Sequence, residues 1–566
     1  MEQDGYFSAS RFGWDTDDES VNICRNRILY IIALFILVYA GIIIRVFNVC
    51  LVNGIHLKQE TLSYYRPKIG IVSPVNRANI TDRNGIIVAT NLPTVNLFAQ
   101  PKKVSNAHEI ALKLAEIFPD ISSKEFYKKL TRRSHFSYLK RNISPQQQAK
   151  VNALGYPELE FQPSEIRVYP QKELLSHVLG NTDIDYKGIS GLEKKLNDRL
   201  SSSTRDLTLT IDLGVQYAIR DELLKAKEKY QAKRATAILM DLHTSEIIAL
   251  VSVPDYDLNK RDLRDKDVKF NFATLGVYEA GSVFKVFNTA LGLDSGKIKI
   301  HDTFDATKPL KFGRHRITDF KVPAKWLSVQ ETLVHSSNIA SVQMALKVGK
   351  DLQMKFFKNL GFFDKIENLE IFERGYPIYR KKSEWGEETI ATTAFGYGIS
   401  VTPIHIITAF SAILNGGIYT PPTLIKDAGE RESRRIISTQ TSNDMRKLLR
   451  TVAIEGSAKR ANVDGYEVAG KTGTANRLVD GKYVKGVNMT SLVSAFPISD
   501  PKYALMVVLD SPKAYKESFG YTTSGWNAVP TGGAIIKRIA PQLNIKPNFD
   551  LERQRENIIK NYEKKS

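Results

Sequence analysis

The sequence predicts an α+β fold whose main domain, residues 206–545, is an antiparallel sheet covered by helices. Two pairs of apolar, strand-like runs support this prediction: 236–241 with 247–253 near the start of the domain, and 492–496 with 503–509 near its end. A short polar turn joins each pair, and short connections favour antiparallel neighbours. Helical spacing of apolar residues follows between the two pairs. Strands at both ends with helices between them indicate one α+β domain.

Length and composition limit the number of domains and the class of protein. The chain has 566 residues, too many for one ordinary domain, and 42% hydrophobic with 25% charged residues is typical of a folded protein. Its two cysteines, Cys24 and Cys50, flank one apolar stretch, which excludes a disulfide-built fold and a thiolate zinc site. The nine histidines show no ligand-like clustering. We therefore expect neither a metal ion nor an organic cofactor.

An apolar stretch at residues 28–52 is predicted to be a single transmembrane helix. No residue from 28 to 44 is charged, and the stretch is long enough to span a hydrocarbon core of roughly 30 Å. It lacks the short core and the cleavage site of a secretory signal. Residues 1–27 are expected to be a short disordered cytoplasmic tail. Arg25 and Arg27 favour that orientation, although basic residues also follow the span.

The basic surplus admits two interpretations. The 80 lysines and arginines outnumber the 61 acidic residues, giving a net charge of +19. No RNP, zinc-finger or helix-turn-helix pattern accompanies this charge, so no nucleic-acid partner is expected. In a chain with a membrane span, a basic surface fits anionic lipid headgroups or an anionic lipid-linked substrate. The alternative is lysine spread over a solvated surface with no partner.

Residues 53–205 are predicted to form a separate spacer or docking domain, because no catalytic constellation occurs in them. Apolar residues at 110, 114, 117 and 118 form one face of a helix there. Asp212 is expected to cap the first helix of the main domain. Residues 546–566 are charged and are predicted to be a peripheral polar tail.

Ser282 and Lys285 provide the central chemical signal. They lie three residues apart at the predicted start of a helix, so that both side chains share one face. A serine hydroxyl becomes a nucleophile when a base takes its proton, and a lysine can act as that base if burial or another cation lowers its pKa. The helix N-terminus also favours developing negative charge. Ser282 is therefore the candidate nucleophile.

Two downstream motifs distinguish Ser282 from other serines with the same spacing. Residues 336–338 are Ser-Ser-Asn and residues 471–474 are Lys-Thr-Gly-Thr, which gives the order Ser-x-x-Lys, Ser-x-Asn, Lys-Thr-Gly. This set is typical of penicillin-binding proteins and serine β-lactamases. Two other pairs have the same Ser-x-x-Lys spacing but do not belong to this set: Ser137 with Lys140, and Ser499 with Lys502.

With further sequence blocks, these motifs resemble the class B penicillin-binding proteins, over nearly everything after the membrane span. The resemblance implies a penicillin-binding, serine β-lactamase-like transpeptidase domain at 206–545 on an elongated pedestal of dimerisation type at 53–205. The family usually has glycine at the position of Ala78 and proline at that of Ala280. The blocks are Arg77 with 79–85, Gly188 with 191–193, the hairpin around Met240-Asp241, residues 278–282 and residues 395–403.

Within the family, the chain is most similar to the division-type, FtsI-like septal transpeptidase. The short N-terminal tail, the run from Leu92 to Val104, and Val401-Thr402-Pro403 carry this likeness. The elongation-type enzyme is the alternative.

The resemblance implies a peptidoglycan stem peptide ending in D-Ala-D-Ala as the substrate. Ser282 would attack the penultimate carbonyl, expel the last D-alanine and pass the acyl group to an amine on a neighbouring stem. Lys285 would be the general base, kept neutral with the help of nearby Lys471. Ser336 would relay a proton to the leaving amine, and Asn338 would hold the amide of the donor peptide.

The Lys-Thr-Gly-Thr stretch follows two apolar residues and is predicted to lie on an edge strand, which can pair with an extended peptide. Gly473 would leave room for that peptide. Lys471, Thr472 and Thr474 would face its terminal carboxylate. By resemblance, the backbone N–H groups of Ser282 and Thr474 would form the oxyanion hole.

The same resemblance implies the cellular setting. The partners would be stem peptides, the lipid-linked precursor, a membrane-embedded glycan polymerase and other division proteins, with β-lactams as covalent inhibitors. Because the substrate lies outside the bacterial cytoplasmic (inner) membrane, the N-terminus would be cytoplasmic and the bulk of the chain periplasmic.

Two rival functions follow from the same residues. A β-lactamase or β-lactam sensor would use Ser282, but hydrolysis needs a base that activates water, and no positioned glutamate motif is identified for it. A catalytically dormant membrane scaffold would recruit partners through residues 28–205. The intact motifs argue against dormancy.

Overall fold

The computed structural model describes residues 18–47, 77–203, 205–260, 265–312, 315–320, 324–366, 368–479 and 482–550. The chain comprises two units, Met1–Ser73 and Pro74–Ser566. The predictions for residues 1–17, 48–76 and 551–566 lie outside the described residues. The domain boundaries at 205 and 545 stay predictions.

In the first unit the described residues, 18–47, form one long helix, α1 (Asp18–Phe47). Its segment Leu29–Val46 has a mean hydropathy of 2.5 and is long and apolar enough to cross a membrane. The helix begins before the predicted start at residue 28. Residues 18–27, expected to belong to a disordered tail, are therefore helical.

The second unit begins with a five-stranded sheet centred on its longest strand. That strand, β2, pairs antiparallel with β1, β3 and β4, and β1 pairs in parallel with β5. The strands are β1 (Ile80–Thr81), β2 (Ile87–Ala99), β3 (Ser137–Ile143), β4 (Leu159–Val168) and β5 (Leu207–Thr208). The helices that accompany them are α2 (Ala107–Ile117), α3 (Ser123–Leu130), α4 (Pro145–Asn152), α5 (Ser176–Leu179), α6 (Gly191–Lys195) and α7 (Asn197–Ser202).

Two hydrophobic cores share this region. The predicted apolar face of α2 buries Ile110 and Leu114 in a small core with one side of β2. By contrast, Ile80 and Leu192 join the large core of the main domain. The base of the pedestal is thus packed as part of the domain that it precedes.

The main domain is built on a second sheet, in which every neighbouring pair is antiparallel. Its order is β16-β17-β18-β6-β7, and the remaining strands pair two by two outside it. The strands are β6 (Arg234–Asp241), β7 (Ile247–Val253), β8 (Thr303–Asp305), β9 (Leu310–Phe312), β10 (His315–Ile317), β11 (Trp326–Ser328), β12 (Ile378–Tyr379), β13 (Ile399–Ser400), β14 (Ile418–Tyr419), β15 (Arg434–Arg435), β16 (Ala469–Val479), β17 (Lys482–Phe496) and β18 (Tyr503–Asp510).

Helices cover this sheet, and the predicted α+β class is confirmed. Both predicted strand pairs form antiparallel neighbours, and Asp212 caps the first helix by accepting a hydrogen bond from the Val215 N–H at 3.0 Å. The helices are α8 (Leu213–Lys229), α9 (Phe272–Leu275), α10 (Phe284–Asp294), α11 (Val329–Val334), α12 (Asn338–Val348), α13 (Lys350–Asn359), α14 (Glu387–Thr393), α15 (Pro403–Leu414), α16 (Thr439–Glu455) and α17 (Ala528–Ile539).

Candidate active site

Ser282 lies in a 3-10 turn, Gly281–Val283, that continues directly into α10. Lys285 follows in the first turn of that helix, and its Nζ lies 3.1 Å from Ser282 Oγ. The Lys285 side chain is fully buried, as are most residues of α10. The predicted spacing therefore places an amine within hydrogen-bond distance of the hydroxyl.

Ser336 brings the second motif to the same amine. Lys285 Nζ donates to Ser336 Oγ at 3.1 Å and to the Ser336 carbonyl oxygen at 2.5 Å. Ser336 has a φ of 58°, in the left-handed region that a serine rarely adopts. This strained backbone turns both of its oxygens toward Lys285.

Lys471, on β16, is the fourth residue of this cluster. Its Nζ lies 3.0 Å from Ser336 Oγ, on a strand that forms one edge of the main sheet. The hydroxyl of Ser336 is therefore bound by two buried amines, those of Lys285 and Lys471. The structure brings together all four residues predicted to be catalytic.

The two amines have unusual proton affinities. Burial, followed by the neighbouring charge of Lys471, holds the pKa of Lys285 well below its ordinary value, and Asp319 opposes the shift. Burial alone lowers the pKa of Lys471 to about 7. Lys285 is thus able to lose its proton and accept one from Ser282.

Asp319 positions the segment that contains Ser336. Its carboxylate accepts hydrogen bonds from Ser337 Oγ at 2.6 Å and from the backbone N–H groups of Asn338 and Ile339. Those groups lie at the start of α12, where a carboxylate is favoured by the unpaired N–H groups. Asp319 was not among the predicted site residues, because a single aspartate in a segment without periodicity carries no local signal.

Asn338 is held by its own neighbours. Its side-chain Nδ2 donates to the Thr318 carbonyl oxygen at 2.9 Å. The amide group is therefore fixed by the same irregular segment that contains Asp319. The predicted contact between Asn338 and the donor peptide stays a prediction.

The Lys-Thr-Gly-Thr stretch lies within the edge strand β16, as expected. Thr472 Oγ1 lies 2.7 Å from Ser457 Oγ, and Thr474 Oγ1 accepts a hydrogen bond from the Ser524 N–H at 3.1 Å. Both hydroxyls are thus held in place, and their predicted contact with a terminal carboxylate stays a prediction.

Gly473 is required by the packing of the protein itself. A Cβ at this position would lie 2.5 Å from the Ala280 carbonyl oxygen and 2.4 Å from Ser491 Oγ. Glycine is required here so that β16 approaches the turn before Ser282. The position that a side chain would take is therefore occupied by the protein itself, and the predicted role of Gly473 in peptide binding stays a prediction.

The two predicted oxyanion donors belong to adjacent pieces of backbone. A Cβ on Gly281, just before Ser282, would lie 2.7 Å from the Thr474 carbonyl oxygen. On its other side, Gly281 N–H donates to the Gly396 carbonyl oxygen at 3.3 Å. Gly396 has a φ of +83° and no space for a Cβ, which explains a glycine in the block at 395–403.

The other two Ser-x-x-Lys pairs lie in different surroundings. Ser137 and Lys140 occupy the strand β3, and Lys140 forms an ion pair with Asp120. Lys502 lies after the turn between β17 and β18 and pairs with Asp500 at 3.6 Å. Neither lysine is buried.

A serine, a buried amine, a bridging hydroxyl and a second amine beside a sheet edge define an acyl-transferring serine enzyme. Two family models match the chain: "Penicillin binding protein transpeptidase domain" over residues 235–527 and "Penicillin-binding Protein dimerisation domain" over residues 72–207. The chain belongs to the class B penicillin-binding proteins, and it is a serine-type transpeptidase.

Individual relatives agree with this family. The chain is 35% identical, over 84% of its length and 82% of the relative, to the probable peptidoglycan D,D-transpeptidase FtsI of Caulobacter vibrioides. It is 30% identical, over 92% of its length and 86% of the relative, to stage V sporulation protein D of Bacillus subtilis. Its fold is similar to that of penicillin-binding protein 3 from Mycobacterium tuberculosis, with a TM-score of 0.67, 20% identity, and coverage of 84% of this chain and 98% of that one.

Proposed function

We propose that the chain is a septal peptidoglycan D,D-transpeptidase, which cross-links stem peptides through an acyl-enzyme on Ser282. One observation carries the catalytic part of this proposal: Ser336 Oγ lies between two buried amines, one of which is 3.1 Å from Ser282 Oγ. This arrangement supplies a base for the nucleophile and a path for its proton.

Acylation begins with neutral Lys285. Its Nζ takes the proton of Ser282 as Oγ forms a bond to the penultimate carbonyl carbon of the donor peptide. Negative charge develops on the carbonyl oxygen, where the N–H groups of Ser282 and Thr474 stabilise it, each contributing on the order of 3 kcal/mol. The C–N bond to the last D-alanine then breaks.

The leaving amine needs a proton, and the contacts of Ser336 suggest its source. The proton held by Lys285 passes through Ser336 Oγ to the departing nitrogen, with Lys471 donating to the same hydroxyl. In the second half-reaction an amine of a neighbouring stem attacks the acyl carbon and loses its proton along the same path. Ser282 is released and a new peptide bond is formed.

The donor peptide binds along the outer edge of β16. Edge strands present unpaired backbone groups, and an extended peptide adds to them as a further strand. The terminal carboxylate then lies near Lys471 and Thr472. Asn338 binds an amide of the same peptide.

Asp319 is poorly placed to act as the base that hydrolysis of the acyl-enzyme needs. A β-lactamase needs a base that activates water. The Asp319 carboxylate already accepts hydrogen bonds from Ser337, Asn338 and Ile339. A transpeptidase is therefore the better assignment.

The division role is supported by the FtsI-type relative and by the division-type blocks of the sequence. The elongation-type enzyme is the alternative. The relatives include both an FtsI-type protein and a sporulation protein, so they support the transpeptidase chemistry more specifically than the cellular role. We place α1 in the inner membrane with the N-terminus in the cytoplasm. A lipid-linked precursor, a glycan polymerase and other division proteins are the proposed partners.

Labelling with penicillin tests the chemistry. Full-length protein in detergent is incubated with fluorescent penicillin, and the adduct is mapped by mass spectrometry. A stable adduct on Ser282 that is absent from Ser282→Ala supports the proposal. Rapid turnover without a trapped adduct supports the β-lactamase instead.

A cellular experiment tests the role. A fluorescent fusion is expected at mid-cell, and Ser282→Ala is expected not to replace the native copy in dividing cells. Localisation along the side wall would favour the elongation-type enzyme. Normal division with Ser282→Ala would support the dormant scaffold.

A further inference from the structure

The small core of the pedestal supports a surface that carries more than a third of the protein's excess positive charge. Residues 102–150 contain eleven lysines and arginines but only four acidic residues, a surplus of seven out of the total of +19. The core beneath them is formed by residues of α2, α3, α4, β3 and one end of β2. Much of the positive charge of the chain is therefore concentrated in one small region.

Most of the acidic residues in this region are already used in local ion pairs. The pairs are Lys113 with Glu109, Lys129 with Glu125, Lys140 with Asp120 and Arg141 with Asp185. Six of the other basic side chains are exposed and have no carboxylate within ion-pair distance in the described part of the chain. We call these six residues the basic tip: Lys102, Lys103, Lys124, Lys128, Arg132 and Arg133.

Helix α3 presents part of the basic tip on its solvent-facing side. Lys124 and Lys128 are four residues apart and share one face, whereas Phe126 and Leu130 on the opposite face are buried in the small core. Tyr127 precedes Lys128 directly and is 44% exposed. A tyrosine among lysines on an amphipathic helix is typical of surfaces that lie at a membrane interface.

The rest of the basic tip lies beside the end of this helix. Arg132 and Arg133 follow α3 in an exposed segment that also contains His135. Lys102, in the turn after β2, has its Nζ 2.9 Å from His135 Nε2, and Lys103 follows it in the chain. Two separate segments thus bring basic groups together, an arrangement that an external anion stabilises.

Anionic phospholipid headgroups are the ligand that fits this surface. The cations are exposed and come from two segments, which suits an array of headgroups better than one small anion. The candidate membrane-spanning helix α1 belongs to the same chain, and residues 48–76 extend over at most roughly 100 Å. Such a tether raises the effective concentration of the basic tip at the membrane, so the weak contacts of single lysines add up.

We propose that the basic tip of the pedestal binds the anionic headgroups of the membrane in which α1 is embedded. This inference rests on the proposed placement of α1 and is independent of the chemistry of Ser282. An acidic protein segment is the other occupant that the charge would attract, and the experiment separates the two.

The experiment follows amide hydrogen exchange in α3 of full-length protein embedded in lipid nanodiscs. One set of nanodiscs contains phosphatidylcholine alone, and the other contains about 30% phosphatidylglycerol, an anionic lipid. Exchange is measured at about 50 and about 500 mM NaCl, which differ in how strongly they screen exposed charges. The amides of α16, in the main domain, are the internal reference.

We expect phosphatidylglycerol to slow exchange in α3 by about fivefold at the lower salt concentration, because a bound helix opens only after it leaves the surface. The higher salt concentration should remove this protection. Two triple variants of the basic tip should each lose it, although the second leaves α3 unchanged. They are Lys124→Gln/Lys128→Gln/Arg132→Gln and Lys102→Gln/Lys103→Gln/Arg133→Gln.

The matched control removes the same amount of charge from the main domain. Lys297→Gln/Lys299→Gln/Lys355→Gln replaces three exposed lysines outside the basic tip and should keep the full protection of α3. Loss of protection in this control would show that net charge alone draws the protein to the lipid, and it would overturn the assigned surface.

Three further results would overturn the inference. Equal exchange in both lipids would leave the surface to an acidic protein partner. Protection that persists in both triple variants of the basic tip would place the lipid contact elsewhere. Equal slowing by inorganic phosphate in phosphatidylcholine nanodiscs would indicate a small-anion site. If the full-length protein does not enter nanodiscs, the proposed placement of α1 fails instead, and penicillin labelling of the same samples tests Ser282 separately.

Discussion

Two buried clusters of this protein each place one side chain between two basic ones, with opposite consequences. Near the base of the pedestal, Glu193 accepts from Arg77 Nε at 2.6 Å and from Arg167 Nε at 2.8 Å. In the active site, Ser336 Oγ accepts from Lys285 Nζ at 3.1 Å and from Lys471 Nζ at 3.0 Å. The central group is a carboxylate in the first cluster and a hydroxyl in the second.

This difference separates a structural cluster from a reactive one. A carboxylate compensates buried guanidinium groups and fixes them in place. A hydroxyl has no charge to offset, so the cost of burial lowers the pKa of both lysines. The pedestal cluster therefore contributes to stability, whereas the active site gains reactive amines at a cost in stability.

The largest expected effect is on the rate of acylation in the active site. Lys285→Met should slow acylation by fluorescent penicillin by about 10³-fold, since general-base catalysis contributes roughly 10²–10⁴. The melting temperature should not fall, because a buried amine is replaced by an apolar chain. Lys140→Met is the matched control, because that lysine has the same spacing from a serine but pairs with Asp120. Labelling of Lys285→Met at the wild-type rate would refute the assigned base.

The opposite pattern is expected for the pedestal cluster. Glu193→Gln leaves two buried guanidinium groups without a carboxylate, which should cost about 3–5 kcal/mol of unfolding free energy and about 5 °C in Tm. Penicillin acylation of the folded protein should stay within about twofold. Glu109→Gln, in an exposed pair with Lys113, is expected to change Tm by about 1 °C or less. An unchanged Tm for Glu193→Gln in thermal melts would show that the pedestal cluster does not contribute to stability.

The lowered pKa of Lys471 is expected to make the stability of the protein depend on pH. The pKa of Lys471 is about 7 in the folded protein, whereas an unfolded lysine titrates near about 10.4. Between these values the unfolded chain binds the extra proton, so the free energy of unfolding rises with pH. Lys471→Met should therefore be more stable than wild type by about 5 °C at pH 7, and the difference should shrink toward pH 10.

Thermal melts of both proteins at pH 7, 8.5 and 10 measure this difference. Lys502→Met, which removes an exposed lysine paired with Asp500, should show neither effect. A constant difference across this pH range would mean that Lys471 keeps its proton in the folded protein.

Local patterns account for what the sequence predicts, and long-range contacts for what it misses. The strand pair β6–β7, the cap at Asp212 and the edge strand of Lys471 depend on neighbours in the chain, and they were predictable. The contact between Arg77 and Glu193 joins two family motifs, but no rule of spacing connects residues so far apart. Asp319 and the left-handed backbone of Ser336 depend on how an irregular segment folds back, which composition and periodicity do not encode.

Asp319 provides the fourth prediction, because it is a carboxylate at the edge of the reactive cluster. Asp319→Asn should slow penicillin acylation by about tenfold, since one amide oxygen replaces a carboxylate that positions Ser337, Asn338 and Ile339. Asp319 raises the pKa of Lys285 against the effect of burial. The acid limb of the pH–rate profile should thus move to lower pH in the variant.

A purely structural role for Asp319 would slow the reaction without moving that limb. Profiles measured between pH 5 and 9 distinguish the two roles. Asp302→Asn, which removes a carboxylate paired with the exposed Lys347, should leave both the rate and the profile unchanged.

The smallest expected effect tests the backbone that supports the pedestal cluster. The Ala78 carbonyl oxygen accepts from Arg167 Nη1 at 2.9 Å, and its N–H donates to the Leu200 carbonyl oxygen at 2.9 Å. Alanine replaces the usual glycine of the family here, and its φ is not among the positive values of the chain. Ala78→Gly should therefore lower the unfolding free energy by only about 0.5–1 kcal/mol, mainly by adding freedom to the unfolded chain. A variant that melts higher than wild type would show that the alanine strains the backbone beside Arg167, and that the pedestal cluster also carries a cost.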